Sequence, residues 1–244
     1  GLSEAQPMPS QLTPNQPTNV SVQTLGPIVA GSAMLHYRYA PGAFISQSLV
    51  DLGGGIFRGT LPAANCADAP EWYFSVNSTQ CGILTLPNNA PSAGVFTATV
   101  PADKTTYCVA KSGLTCGVPG ISGFGTPSAS SANGFFILAG PARTNRTGLI
   151  IYSDQGPNNA PFLGGTLCVT PPIRRTVVVN SGGTSSCDGE FSIDMNAFAS
   201  GAMGGNPQPF LSQPGTRINC QVWGRDSVAT GSFLSNGLEY TVCP

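Results

Sequence analysis

The sequence predicts an all-β chain built from two consecutive disulfide-stapled β-sandwich domains of the immunoglobulin or fibronectin type. The 244 residues include 31 glycines and 22 prolines, and only 9% are charged, so turn formers are abundant and helix formers scarce. Short apolar segments with a period of two recur between clusters of Gly, Pro, Asn and Asp, as in sandwich strands. Eight cysteines indicate cross-links made in an oxidising compartment.

Three regions follow from these patterns: residues 1–18, residues 19–101 and residues 102–244. The first carries four prolines and no apolar periodicity, which predicts an extended Pro-rich tail. Because chain ends need partners to be ordered, we expect this tail to lie along its own domain or along a neighbouring copy. No signal-peptide pattern begins at Gly1, so we expect a chain that is processed or excised from a longer protein.

The two larger regions read as strands separated by turns. Residues 19–101 predict an immunoglobulin or fibronectin III-like sandwich, and residues 102–244 predict a larger Cys-rich sandwich. In the first, one face of a strand is apolar, with Trp72, Phe74 and Val76 in alternation. In the second, a single helical turn is expected near residues 196–200.

The cysteine spacing favours four disulfides over a metal site. The closest pair is Cys108 and Cys116, and the chain holds one histidine, so the ligand pairs of a zinc site are missing. A C-x-x-C redox pair is missing too. Other connectivities stay open, but the pairs that we expect are Cys66–Cys81, Cys108–Cys116, Cys168–Cys243 and Cys187–Cys220.

The sequence lacks the residue sets on which common hydrolases depend, so we expect no enzymatic activity and no catalytic residue. His36 is the only histidine, and it falls on the outward face of a predicted strand beside Arg38. No G-x-S-x-G motif is present for a serine nucleophile. The 11 acidic residues form no recognisable pair for glycoside hydrolysis. A surface role for His36 is therefore favoured over a catalytic one.

Charge and hydrophobicity argue against a nucleic-acid partner and against a membrane-spanning helix. With a net charge of −1 the chain has no basic field, and we expect no nucleic-acid partner. No window approaches 18 uninterrupted apolar residues, so we expect no membrane-spanning helix.

Calcium is the one metal or cofactor for which the sequence offers candidates. Loop carboxylates suit this hard cation, and the candidate ligands are Asp188, Glu190 and Asp194. The regular spacing of a calcium loop is absent, however, so carboxylates that cap turns are the favoured alternative.

The segment from Gln221 to Asp226 contains the candidate ligand-binding residues, Trp223 and Arg225. An exposed Trp223 could stack on a sugar, but the favoured interpretation is a structural indole with Arg225 stacked on the ring. The other tryptophan, Trp72, lies on the apolar face of its strand and is expected in the core. We expect Arg225 and Asp226 to bond buried backbone groups or each other.

Two sets of short strings carry a family resemblance. Those in the second half are Gly165–Cys168, Arg174–Thr176, Asn180–Gly183, Phe191–Asn196, Trp223–Asp226 and Tyr240–Pro244. Those in the first half are Gly31–Tyr39, Leu61–Ala63 and Pro70–Ser75. Together they resemble the C-terminal tail module pair of large secreted proteins from Planctomycetes-type bacteria. The resemblance covers nearly the whole chain. It implies an extracellular bacterial setting and a sandwich followed by a Cys-stapled sandwich, and it transfers no catalytic residue.

These observations predict a non-catalytic extracellular structural or adhesive protein, secreted or held at the cell surface. We expect residues 1–18 to add an extended segment to a neighbouring sheet edge, so that copies form a homo-oligomer or a larger surface fibre or layer. The alternative is an accessory or carbohydrate-binding module of a secreted hydrolase, with a polysaccharide as its ligand.

Overall fold

A computed structural model of the chain describes residues 1–39, 41–227, 229 and 231–244. This described part divides into two units, Gly1–Pro101 and Ala102–Pro244. The regular structure of both is almost entirely β, which confirms the all-β prediction. Within the described residues, no helix is long and apolar enough to cross a membrane.

The first unit is a sandwich of two antiparallel sheets. Its strands are β1 (Leu2–Glu4), β2 (Thr18–Thr24), β3 (Met34–Arg38), β4 (Ile45–Ser48), β5 (Val50–Gly53), β6 (Ile56–Leu61), β7 (Glu71–Ser78), β8 (Gly82–Leu86) and β9 (Phe96–Thr97). One sheet has the order β1-β2-β6-β5. The other has the order β4-β3-β7-β8, with β9 paired to β7.

Alternating apolar residues bring one face of each sheet into a shared core. Val20 and Val22 of β2 are buried against Trp72 and Phe74 of β7 in this core. Trp72 is fully buried, and its ring stacks on Phe96 at a centroid distance of 5.8 Å. Each such side chain contributes about 1.5–3 kcal/mol by leaving water, so the period-two pattern stabilises the packing of the two sheets.

Residues 1–18 are an integral part of this sandwich. β1 pairs antiparallel with β2, and farther along Leu12 N donates to Thr99 O at 2.9 Å, while Thr99 N donates to Ser10 O at 3.0 Å. The Leu12 side chain is buried in the core. The segment therefore lies along its own domain, which is one of the two expected placements, and Leu12 also joins the core although the apolar residues Leu2, Met8 and Leu12 follow no strand period.

The second unit contains two sheets and a hairpin. Its strands are β10 (Lys104–Tyr107), β11 (Gly120–Gly125), β12 (Phe135–Ala142), β13 (Thr147–Ser153), β14 (Pro157–Phe162), β15 (Gly165–Val169), β16 (Arg174–Arg175), β17 (Val179–Asn180), β18 (Gly189–Asp194), β19 (Arg217–Arg225) and β20 (Ser232–Thr241). The larger sheet has the order β10-β20-β19-β13-β16, with β17 also paired to β13. The smaller sheet is β11-β12-β18, and β14 pairs with β15.

The larger sheet of this unit is covered on both faces. Its inner face packs on the smaller sheet through a core that includes Ile150, Val222, Phe191 and Ile137. Its outer face packs on the β14–β15 hairpin through a second cluster: Leu149, Ile151, Leu167 and Val169. A helical turn, α1 (Met195–Ala199), follows β18, and a 3-10 helix spans Pro209–Ser212.

Disulfides join distant segments of the second unit. Cys108 is bonded to Cys168 and Cys116 to Cys187, across 60 and 71 residues. Cys66 of the first unit takes part in a disulfide bond, and so does Cys243 of the second unit. Free thiols belong to Cys81 and Cys220. The structure therefore corrects all four expected pairs: Cys66–Cys81, Cys108–Cys116, Cys168–Cys243 and Cys187–Cys220.

The positions of Cys66, Cys81 and Cys220 explain why two of the expected pairs do not form. Cys66 and Cys81 lie beyond opposite ends of β7, and its eight residues span roughly 25 Å, whereas the Cα atoms of a disulfide lie within about 7 Å of each other. Cys220 is fully buried in the core between the two sheets. Its thiol therefore cannot reach the partly exposed loop that holds Cys187.

The place of the N-terminal segment in the core can be tested with Leu12→Ala. We expect the first unit to lose about 2–5 kcal/mol of unfolding free energy, because the substitution leaves a cavity at a fully buried site. Urea unfolding of the full chain can be followed by tryptophan fluorescence in a Trp223→Phe background, where Trp72 is the remaining tryptophan. Leu25→Ala, at a side chain 64% exposed, is the control. Equal stability of the two variants would contradict the assignment.

The free thiols can be tested by maleimide labelling and peptide mapping. Cys81 is exposed and should react in the native protein. Cys220 should react only after denaturation, because burial excludes the reagent and raises the pKa of its thiol. A Cys81→Ser variant should take up no label in the native state. Labelling of native Cys187 or Cys168 would contradict the observed pairs.

Candidate functional site

The strand pair β13–β19 ends in two facing glycines. Gly148 of β13 lies opposite Gly224 of β19, and Leu149 lies opposite Trp223. On the core side the ring of Phe191 occupies the space of the missing side chains: a Cβ added to Gly148 would lie 2.5 Å from it, and one added to Gly224 would lie 2.8 Å from it. The next residues along each strand, Leu149 and Trp223, therefore project from the outer face.

A pocket with a volume of about 820 Å³ opens on this outer face. Its walls come from the β12–β13 turn, the β16 region, the end of β19 and the tip of the β14–β15 hairpin. The residues that determine its chemistry are Arg143, Arg146, Arg175, Leu163, Trp223 and Arg225. The pocket therefore combines an aromatic and aliphatic wall with four guanidinium groups.

Arg143 and Arg146 lie on a turn whose backbone is tied to the buried Ser181. The Ser181 hydroxyl donates to Arg143 O at 2.7 Å and accepts from Arg146 N at 2.9 Å. Ser181 N donates to Arg146 O at 2.8 Å, and Asn145 N donates to Gly182 O at 2.9 Å. These bonds hold the backbone of both arginines in place.

The other two arginines reach the pocket from neighbouring strands. β16 pairs with β13 so that Arg175 lies opposite Ile151, and it therefore shares the outer face with Leu149. Arg225 follows Trp223 by two positions on β19, which places it on the same face. The side chains of Arg175 and Arg225 are exposed.

The pocket contains more arginines than acids in the lining that the structure describes. Within the described residues, no ion pair involves any of its four arginines. Asp226, the acid in the described lining, is buried and accepts hydrogen bonds from Thr115 N at 3.1 Å and Thr115 Oγ1 at 2.9 Å. In the same part of the chain, Arg146 Nε is buried without a hydrogen-bond partner. The pocket is thus suited to an anionic group.

Trp223 forms the aromatic wall. It is partly buried, packs on the outer cluster, and meets the ring of Phe162 edge-on at a centroid distance of 6.1 Å. The Arg225 side chain is exposed, and its stacking on Trp223 and its bonds to buried backbone groups stay predictions. Asp226, by contrast, is buried and hydrogen-bonded.

The other aromatic and histidine candidates lie in the first unit. Trp72 is fully buried, so it offers no surface to a ligand. His36 lies on the outward face of β3, with ring nitrogens 2.8 Å from the hydroxyls of Ser46 and Ser75. Its ring stacks on Tyr73 at 4.4 Å, and desolvation lowers its pKa. These contacts describe a cross-strand histidine.

The calcium candidates make contacts typical of turn caps. Asp188 accepts hydrogen bonds from Thr184 N and Ser185 N, which hold its pKa well below the usual range. Asp194 caps α1 by accepting from two backbone N–H groups of that helix. Glu190 is exposed. Among the described residues, no group of three or more His, Cys, Asp or Glu side chains is placed to hold a metal ion.

Reasoning from the sequence selected Trp223 and Arg225 but missed Arg143, Arg146 and Arg175. A signal was present, because the strings 143–146 and 174–175 hold four of only eight arginines in the chain. Their convergence depends on the Ser181 turn and on the pairing of β16 with β13. No periodicity in the sequence reveals either of these.

Comparisons with known proteins place the chain in no family, since neither a family model nor a curated protein matches it. Among solved structures it is similar to trypsin-activated alpha-2-macroglobulin from Escherichia coli and to a tetra-tandem repeat in the extending region of a large adhesion protein. Each match covers 100% of this chain at 11% identity with a TM-score of 0.28. The chain spans 15% of the first structure's length and 48% of the second's.

The role of Ser181 can be tested with Ser181→Ala. We expect a loss of about 1–3 kcal/mol in the unfolding free energy of the second unit, because Arg146 N and Arg143 O lose a buried partner. Urea unfolding followed by the fluorescence of Trp223 in a Trp72→Phe background measures this loss. Ser212→Ala is the matched control, because Ser212 is exposed. Its stability should change by less than about 0.5 kcal/mol.

Proposed function

We propose that this chain is a non-catalytic extracellular adhesive protein whose second unit binds a polysaccharide in the pocket on the outer face of β13 and β19. The observation that supports this proposal most directly is the partly buried Trp223 in the pocket wall. An indole held in place on one side and open on the other offers a flat apolar surface with a polar edge. Sugar rings present a matching apolar face and hydroxyl rim.

The size and lining of the pocket support a ligand of more than a few atoms. Its volume of about 820 Å³ falls within the range of about 300–1,000 Å³ that is usual for sites of organic ligands. Leu149, Leu163 and Val178 line it beside Trp223, while polar groups fix orientation. An elongated polymer can enter because the pocket is open to solvent at exposed residues such as Val178.

The lining favours binding without turnover. The part of it that the structure describes contains no histidine, cysteine, glutamate or lysine. Arginine stays protonated in proteins and cannot act as a general base. The carboxylate of Asp226 is already engaged by Thr115. These features support a holding role for the pocket.

Covalent and strand contacts support the extracellular setting and the choice of the pocket as the adhesive contact. Disulfides such as Cys108–Cys168 and Cys116–Cys187 are typical of proteins in oxidising, extracellular compartments. Residues 1–18 are paired within their own sheet. We therefore assign the adhesive contact to the pocket and not to assembly through this segment.

The proposal is tested by native affinity electrophoresis of the full chain in gels that contain neutral or acidic polysaccharides. We expect retention by at least one polymer and, for Trp223→Ala, an affinity lower by about tenfold or more, as for other aromatic anchors of binding sites. Phe124→Ala removes an aromatic ring that is 57% exposed and lies outside the pocket, and it should be retained like the unaltered chain. No retention by any polymer, or equal retention of both variants, would refute the proposal.

A further inference from the structure

Half of the arginines of the chain line this one pocket. Its 15 lining residues include four of the eight arginines among the 244 residues. The net charge of the whole chain is −1, so the positive charge is a local property of this pocket and not a general basic character. Placing like charges together is unfavourable unless an anion joins them, which indicates that the ligand carries negative charge.

The arginines have unused hydrogen-bonding capacity. Each guanidinium offers five N–H donors in a planar fork, and in the described residues none of the four forms an ion pair. Arg146 Nε is buried and has no acceptor in that part of the chain. Because this atom lies out of reach of solvent, the N–H groups open to a ligand oxyanion are those of exposed side chains such as Arg175 and Arg225.

The arginines reach the pocket from three separate backbone segments. Arg143 and Arg146 share the turn held by Ser181, Arg175 lies on β16, and Arg225 lies at the end of β19. Charges mounted on separate segments around a pocket of about 820 Å³ suit a ligand with several anionic groups better than a single small ion.

The aromatic and aliphatic wall selects among polyanions. Trp223 and Leu163 flank the guanidinium groups, which fits a sugar ring that carries an oxyanion. A nucleic acid would instead need an extended basic track along its backbone. The aspartate and glutamate side chains of an acidic peptide lack the rigid ring faces that stack on an indole.

We propose that the polysaccharide bound in this pocket is acidic, with carboxylate or sulfate groups held by Arg143, Arg146, Arg175 and Arg225. This inference rests on the proposed function. Arginine forks bind carboxylate and sulfate oxygens through paired, charge-assisted hydrogen bonds. Carboxylated and sulfated polysaccharides both offer a sugar ring that bears an oxyanion and can stack on Trp223.

The test is isothermal titration calorimetry of the full, oxidised chain with matched ligands. The carboxylate arm compares oligogalacturonate with its methyl ester of the same length, and the sulfate arm compares dextran sulfate with dextran. We expect the acidic member of at least one pair to bind about tenfold or more tighter, because only it engages the guanidinium forks. Raising the salt concentration from about 0.05 M to about 0.5 M should weaken this preference, since exposed charges are screened.

Variants assign the effect to the pocket. Arg175→Gln and Arg225→Gln, both at exposed side chains, should each weaken binding of the acidic ligand about fivefold or more. Arg146→Lys keeps the charge but loses the fork, and we expect an intermediate loss. The matched control is Arg174→Gln, which makes the same charge change on the same strand outside the pocket and should bind like the unaltered chain.

Each outcome decides between the two proposals. Equal binding of acidic and neutral ligands, with Trp223→Ala still impaired, overturns the inference and leaves the proposed function standing. No binding of any polysaccharide overturns the proposed function and the inference with it. Binding of polyglutamate or single-stranded DNA as tight as that of the acidic sugar also overturns the inference, because the sugar ring would then contribute nothing.

Discussion

The pairing of β13 with β19 is the constraint on which the second unit depends. Its register sets Gly148 opposite Gly224, and both glycines leave room for the ring of Phe191 in the core. The same register sets Leu149 opposite Trp223 on the outer face. A shift by one residue would turn every side chain to the other face. It would force the indole into the core and remove the wall of the pocket, so packing on one side of the sheet fixes the chemistry on the other.

The hairpin over the outer face is held by polar and covalent bonds as well as by packing. Gln221 is fully buried, yet its side chain accepts from Cys168 N at 3.1 Å and donates to Thr166 O at 2.9 Å. Tyr107 donates to Cys168 O at 2.7 Å, and the Cys108–Cys168 disulfide joins the same two segments. Closing a loop of 60 residues contributes about 4 kcal/mol through the unfolded state. The hairpin tip can therefore form a lasting wall of the pocket.

The fold class followed from the sequence because period-two burial and turn chemistry are local properties. The alternation around Trp72 correctly identified a core strand, and the residue pair Trp223 and Arg225 lies in the pocket. Disulfide partners and the arginine cluster depend on contacts between segments far apart in the chain, which local patterns do not encode. The N-terminal segment shows the same limit, since Leu12 reaches the core through an irregular path.

The arrangement of the arginines is hard to explain by stability alone. Exposed side chains such as Arg175 and Arg225 add little to folding, and crowding like charges in one pocket opposes it. The buried hydroxyl of Ser181 nevertheless forms hydrogen bonds that hold the backbone of Arg143 and Arg146 in place. A backbone that is already held by such bonds loses less entropy when a ligand binds. Under the proposed function, the polar bonds of this turn preorganise the backbone that carries Arg143 and Arg146, and the disulfide-linked sheet and hairpin support it.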